Sequence, residues 1–293
     1  MKLGYLYRQV IKFGRERDPS GKSGPGFYED TAILLGDPEA EIKKIMVGID
    51  IDAAELLIAD RLRASGGLDL VISHHPEGRC WASFYKVMRL QVAMLVNAGL
   101  PKKAAAELVD ERMQEVARKV MPHNHMRTVD AARLLNLPFM CIHTPADNHA
   151  SHFINALLKR KNPKRLGDIV EILNEIPEYR QASKEQAGPR IIAGNPNRPV
   201  GRIFVEMTGG TEGHREVYDK IYKFGVRTLV AMHLSEEHFK KVRDADLNVV
   251  IAGHVSSDTL GLNLLLDRIE NTHPFEVFNC SGFRRVRRKA LAK

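Results

Sequence analysis

Leu70-Val71-Ile72-Ser73-His74-His75-Pro76 is an apolar run of strand type that ends in two adjacent imidazoles. The proline after them cannot continue a sheet ladder. Neighbouring side chains on an extended backbone point to opposite faces, so two adjacent histidines serve one centre only where the chain is already turning. Such turns lie just past the carboxyl ends of strands, where open α/β sheets bind their ligands. The arrangement recurs twice. Phe139-Met140-Cys141-Ile142 runs into His143-Thr144-Pro145-Ala146-Asp147, and Asn248-Val249-Val250-Ile251-Ala252-Gly253 runs into His254-Val255-Ser256-Ser257-Asp258. Three apolar strands that each deliver histidine or carboxylate at their exits point to one polynuclear metal site.

Around these strands the sequence predicts an α/β protein of two related lobes. Ile45 to Ile49 reads as a strand, Ala53 to Ala64 as a helix stopped by Gly66-Gly67, and the His-His strand follows. That is a β-α-β unit with parallel strands. A second copy stands 158 residues later, with strands at Ile203 to Met207 and Arg227 to Ala231, so that His233 is the counterpart of His75. The expected division is a first lobe over 1–165, with a helical insertion at about 83–122, and a second lobe over 166–293, interlinked with the first. Single helices are expected over Ser83 to Asn97, Lys102 to Val120, Thr128 to Leu135 (with Thr128 as N-cap) and Asp168 to Ile176. The insertion helices read as packing and oligomer surface. The polar stretch Glu178 to Pro199 reads as the connection between lobes.

Composition narrows the function. With 44% hydrophobic and 27% charged residues the chain reads as an ordinary soluble globular protein. No apolar run reaches the roughly 18–20 residues of a membrane span. No secretory signal pattern opens it, so a cytoplasmic location is expected. Cys80, Cys141 and Cys280 are scattered and form neither a disulfide framework nor a thiolate zinc motif. Much of the net charge of +8 crowds into Arg284-Arg285-Val286-Arg287-Arg288-Lys289, read as a frayed, solvated tail with nucleic-acid binding as its lesser alternative. Gly21-Lys22-Ser23 imitates a phosphate-binding loop, but glutamate at 16 stands where that motif needs glycine, so a plain loop is expected.

The site itself is expected to comprise His74, His75, Asp147, His254 and Asp258. Imidazole and carboxylate without thiolate suit Zn, Mn, Fe, Ni or Co. Five ligands overfill one tetrahedral ion with an open position, whereas two ions about 3.5–4 Å apart can share a carboxylate and a water. Asp147, from the middle stretch, is the expected bridge, and His143 an outer residue that holds a ligand or water. His149 and His152 follow Asp147 closely enough to line the mouth, whereas His123 and His125 read as turn residues. Gly209, Gly210 and Gly213, in the turn before a helix, are candidates to hold a phosphate through backbone N–H groups.

At these residues the chain resembles the Nif-three-like family (NGG-one-interacting factor three), whose bacterial members are often labelled GTP cyclohydrolase I type 2 homologues. Val71-Ile72-Ser73-His74-His75-Pro76 is similar to the family's His-His-Pro stretch. His143-Thr144-Pro145-Ala146-Asp147 is similar to its His-Thr-Asn-Leu-Asp, and Gly253-His254 through Asp258 to its Gly-His-x-x-x-Glu. The resemblance implies a two-lobed α/β fold, a dimetal centre on those five positions, and dimers assembled into a toroidal hexamer. Asp258 stands where the family has glutamate, Met232-His233 replaces a Gly-acid pair, and the helical insertion is longer than typical. His233 is therefore a candidate extra ligand. Two functions follow. One is a metal-dependent hydrolase acting on a nucleotide or phosphorylated small molecule through a metal-bridging hydroxide, with Asp147 or His143 taking the proton. The other is a metal carrier or regulatory scaffold without chemistry.

Overall fold

The computed structural model describes residues 1–21 and 24–288. In chain order its elements are α1 (Leu3–Arg15), β1 (Ala32–Leu35), β2 (Lys44–Gly48), α2 (Ala53–Gly66), β3 (Leu70–Ser73), α3 (Gly78–Ser83), α4 (Leu90–Asn97), α5 (Lys102–Val120), α6 (Arg127–Leu134), β4 (Phe139–Cys141) and α7 (Thr144–Lys161). Then come α8 (Leu166–Asn174), α9 (Pro177–Lys184), β5 (Arg190–Ala193), β6 (Arg202–Glu206), α10 (Val217–Lys223), β7 (Val226–Ala231), α11 (Glu236–Asp244), β8 (Asn248–Ile251), α12 (His254–Glu270) and β9 (Glu276–Cys280).

The strands form two sheets, ordered β1-β4-β3-β2-β9 and β5-β8-β7-β6. In each, the first strand of the repeat is an antiparallel edge and the rest are parallel. The duplication is thus real at the level of topology: β5 begins 158 residues after β1, and β6 begins 158 residues after β2. Between its third and fourth strands the first lobe inserts four helices, where the second has α11 alone. The last strand, β9, returns to the first sheet and pairs with β2.

Alternation along the strands decides which core each residue enters. Val47, Ile72 and Met140 face a core shared with α1 and α12, while Met46, Val71 and Phe139 face α2 and α6. In the second sheet Val205, Val230 and Val250 face a core built by α7, α8, α9 and α12. Phe204, Leu229 and Val249 face the other way, and the insertion covers them with Leu90, Met94, Val109 and Met113. The insertion of one lobe therefore roofs the sheet of the other.

Helices α7 and α12 run together between the sheets. A Cβ at Gly261 would stand 2.4 Å from the Ala146 carbonyl oxygen, so the two backbones meet there with no side chain between them.

Several local expectations need correction. Residues 178–199 are not a linker: they hold most of α9 and the edge strand β5. The region expected as one helix from Ser83 to Asn97 is broken by a 3-10 segment over Phe84–Arg89. Helix α6 is capped by Met126, with Thr128 buried inside it, and α8 starts at Leu166 rather than Asp168. The basic tail is not frayed through residue 288. Arg285 is buried and pairs with Asp267 (2.5 Å) and Glu270 (2.7 Å), Arg287 pairs with Glu270, and Arg288 pairs with Glu178 (2.6 Å). These carboxylates on α9 and α12 take up the charge that nucleic acid would need. Lys289 and the residues after it, like Lys22 and Ser23 of the Gly-Lys-Ser stretch, lie outside the described residues. No described helix is long and apolar enough to cross a membrane.

The close approach of α7 and α12 generates a sign test. Alanine is favoured over glycine inside a helix by about 1 kcal/mol. Overpacking against fixed backbone typically costs about 1–3 kcal/mol or more. Gly261→Ala is expected to lower the midpoint of thermal or urea unfolding; an increase would show that the helices can part without penalty.

Candidate metal centre

The turn after β3 resolves how two neighbouring histidines share a centre. The backbone N–H groups of His74 and His75 donate to the carbonyls of Gly48 and Ile49 (2.9 Å each), which carries the chain along the exit of β2. Ser73 Oγ donates to the His75 carbonyl at 2.7 Å and tightens the bend. Both rings then lie on one side, with centroids 5.4 Å apart. His143 is the N-cap of α7, Asp147 sits in that helix's first turn, and His254 and Asp258 open α12 after Gly253 at φ 108. Each lobe therefore delivers one His-x-x-x-Asp at the start of the helix that follows its fourth strand, and the helix pairing brings the two copies face to face.

Four of the expected five, His74, His75, Asp147 and Asp258, fall with His143 into two converging groups that share His74, and His254 stands beside Asp258. His74 Nε2 is 3.4 Å from Asp147 Oδ1 and 3.5 Å from Asp258 Oδ1. His75 Nε2 and His254 Nε2 are 3.5 and 3.6 Å from Asp258 Oδ2, and His143 Nε2 is 3.7 Å from Asp147 Oδ2. Good N–H···O hydrogen bonds end near about 3.2 Å. Two ligands on one ion, each bound at about 2.0–2.2 Å in a tetrahedral array, stand roughly 3.3–3.6 Å apart. The spacing is that of ligands, not of hydrogen-bond partners. Consistently, His74 Nε2, Asp147 Oδ1 and both Asp258 carboxylate oxygens are buried with no hydrogen-bond partner. Two groups have all their donor atoms within 4.8 Å of one another: His74, His143 and Asp147, and His74, His75 and Asp258. The donor set fits metal ions.

The far sides of the rings are anchored to acceptors. His74 Nδ1 lies 2.9 Å from the Ile142 carbonyl, His75 Nδ1 2.6 Å from Asp50, and His143 Nδ1 2.8 Å from buried Asp30. An Nδ1–H donated outward leaves the Nε2 lone pair facing inward, the tautomer a metal needs. Asp30 also accepts from Thr144 Oγ1 at 2.5 Å, tying the start of α7 to the loop before β1.

Electrostatics give the same reading. Burial disfavours a charged His74, yet Asp258 and Asp147 outweigh it and raise this imidazole to about 10. Burial likewise opposes a charged His75, and the Asp258 and Asp50 carboxylates beside it raise it to about 9. Burial works against ionisation of Asp258 too, but His74 and His75 hold it far below the usual carboxylate range. His254 goes down, its burial outweighing the pull of Asp258. Without a cation the pocket gathers protons around its carboxylates, and metal binding would displace them.

Other expected residues fall elsewhere. His233 packs its ring on His254 with centroids 4.7 Å apart, and its Nδ1 is 3.7 Å from Glu212, so it flanks the centre outside the converging donor sets. Gly210 lines the pocket with Thr211, but Gly209 is pressed against Gln91, and the Gly213 N–H is already donated to Glu206 (3.2 Å). The helix after this turn, α10, starts only at Val217. His149 and His152 do not line the mouth: His149 is buried with Nδ1 bonded to the Pro145 carbonyl, and His152 borders a separate groove beside Arg17. Sequence reasoning missed Asp30, Asp50 and Glu206 as site residues. The repeated His-x-x-x-Asp was the one visible signal for His143.

Two chambers meet at the centre. A small one of about 50 Å³, room for ions or a water, is lined by Asp147, Asp258, His143 and Glu206. A larger one of about 590 Å³ reaches His75, His143 and His254 from the side of the insertion. Its size is that of a small-molecule site.

No family model and no curated protein sequence matches the chain. Solved structures do. A NIF3 superfamily protein from Sphaerobacter thermophilus is 29% identical, with a TM-score of 0.79, covering 94% of this chain and 98% of that one. Reduced HcgD from Methanocaldococcus jannaschii (14% identity, 95% and 97% covered, TM-score 0.59) and TTHA1606 from Thermus thermophilus (14% identity, 95% and 97% covered, TM-score 0.52) share the fold.

Two outcomes test the site. Outer partners of metal-bound histidines typically contribute about 10–100-fold to metal affinity. Asp50→Asn is expected to weaken metal binding about ten-fold in competition with a chromophoric chelator, with thermal stability little changed. Burial raises Glu206 from its ordinary 4.5 to about 7, the Gly213 N–H only partly opposing. The folded state thus favours the protonated acid, and the associated stability is lost as pH rises from about 4.5 through about 7. In cation-free protein Glu206→Gln, neutral at every pH, is expected to match the parent near pH ~5 and to exceed it by roughly 1–3 kcal/mol at pH ~8. An equal effect at both pH values would contradict the burial argument.

Proposed function

This chain is Nif-three-like, and from that premise we propose that it holds two divalent metal ions and acts as a metal-dependent hydrolase on a nucleotide or phosphorylated small molecule. The observation that carries the reading is the set of buried, unpartnered donor atoms of His74, Asp147 and Asp258, spaced as ligands of shared ions. His74, His75, Asp147, His254 and Asp258 would hold them, with His143 beside Asp147. Bound there, the cations would supply Lewis acidity and lower the pKa of water.

The chain's own residues do the rest. Asp258 stands within 3.5–3.6 Å of three imidazoles with its two oxygens and Asp147 within 3.4–3.7 Å of two, so both carboxylates would serve as ligands. His143, its Nδ1 held by Asp30, can take and return a proton at Nε2, and Asp147 beside it is the alternative acceptor. The larger chamber opening onto the same histidines supports turnover of a small molecule over simple metal carriage. The toroidal hexamer implied by the resemblance belongs to this proposal, and a native mass of six chains tests it.

Elemental analysis of freshly purified protein is expected to give close to two metal ions per chain, and Asp258→Asn at most one. Hydrolysis of nucleotides or phosphoesters should vanish on chelation and return with added metal. Two firmly held ions with no turnover in a broad screen would instead favour the carrier reading.

A further inference from the structure

The larger chamber has walls that the metal chemistry does not use. Trp81 and Phe84 stack on each other at its side, with ring centroids 4.9 Å apart and planes 16° from parallel. His123 meets Trp81 edge-on at 6.3 Å. Across the chamber are the metal-facing rings of His75 and His143. Glu77 also lines it: its backbone N–H is bound to Cys141 Sγ, while its carboxylate has no salt-bridge partner among the described residues. Trp81 and Phe84 both belong to the helical insertion, on α3 and the 3-10 segment after it. The insertion that roofs the second sheet thus also furnishes an aromatic wall beside the metal centre.

Such a wall recognises a flat π-system, because aromatic faces stack on planar rings whatever their substituents. Glu77 is half-buried beside Thr128 and has no salt-bridge partner among the described residues, so its carboxyl oxygens favour a ligand that brings a hydrogen-bond donor over one that brings only acceptors. Asp50, Asp52 and Glu77 line the chamber with Arg127 as the single arginine, so the carboxylate-bearing wall suits an uncharged ring better than a phosphate, which the histidines opposite would take. We propose that this chamber seats a planar nitrogen heterocycle, its ring against the Trp81–Phe84 wall and an N–H of the ring or of an exocyclic amine donated to Glu77. A nucleotide would then lie with its base on that wall and its phosphate or other electrophilic group toward His75 and His143. That the heterocycle is the substrate of the metal centre rests on the function proposed above; that it binds does not.

Trp81 is the chain's one tryptophan, so its emission reports directly on a ring placed against it. The experiment titrates metal-loaded, full-length protein with adenosine, guanosine and cytidine, using ribose 5-phosphate as the ringless control. Saturable quenching by the nucleosides, without quenching by ribose 5-phosphate at the same concentrations, is the expected result. Glu77→Gln should weaken nucleoside binding about ten-fold or more while metal content stays that of the parent. Trp81→Phe, which keeps an aromatic face, should retain binding by calorimetry, and Trp81→Leu should lose most of it. No saturable quenching by any nucleoside, or equal binding of ribose 5-phosphate, would overturn the inference. Two ions per chain without ring binding would sink this inference and leave the metal reading intact. Ring binding in a protein that holds no metal would support the seat and remove the metal reading.

Discussion

The candidate metal centre depends on one contact, the meeting of α7 and α12 at Gly261 and Ala146. Asp147 is the residue after Ala146, and Asp258 is three residues before Gly261. Bringing the two backbones together at that level brings the carboxylates together, and with them the histidine that opens α12 and the one that caps α7. Two carboxylates at the starts of two helices are each favoured by the local backbone dipoles. Together they repel, and only positive charge between them makes the arrangement comfortable. The two carboxylates favour positive charge on His74 and His75 against the cost of their burial, and the buried donor atoms left unpaired are what a cation would satisfy.

Around that contact, the protein invests heavily in orientation. Asp30, Asp50 and the Ile142 carbonyl each hold one Nδ1, so three imidazoles face inward by constraint rather than by chance of rotamer. Fixed ring directions matter because a ligand misplaced by a fraction of a bond length loses much of its coordination. The insertion adds the next layer. By covering Phe204, Leu229 and Val249 it stabilises the second lobe, and by the same docking it sets Trp81 and Phe84 beside the centre. Packing and site construction are here one event.

Much of the architecture was legible in the chain. The strand exits at His75, Asp147 and His254 marked the site, and the 158-residue offset marked the duplication that the two sheet orders display. The errors have particular causes. Residues 178–199 look like a linker because α9 is short and mostly polar and β5 is an edge strand with little need of apolar alternation. The arginines at 284–288 look like a solvated tail because a charge run carries no record of the carboxylates it meets on distant helices. His152 looked close to the site in sequence, yet on a helix the next turn points elsewhere, and it borders a different groove.

The order of residues alone was enough for the α/β class, the two related halves and the imidazoles and carboxylates that gather at the strand exits, because strand periodicity and the chemistry of side chains are local properties. Nothing local encodes that Asp30, in a loop before the first strand, holds His143 from behind, or that Glu206 faces the same small chamber. Nor does the insertion's sequence disclose that it crosses to the other lobe. Those relations arise only when the folded chain brings residues more than a hundred positions apart within reach.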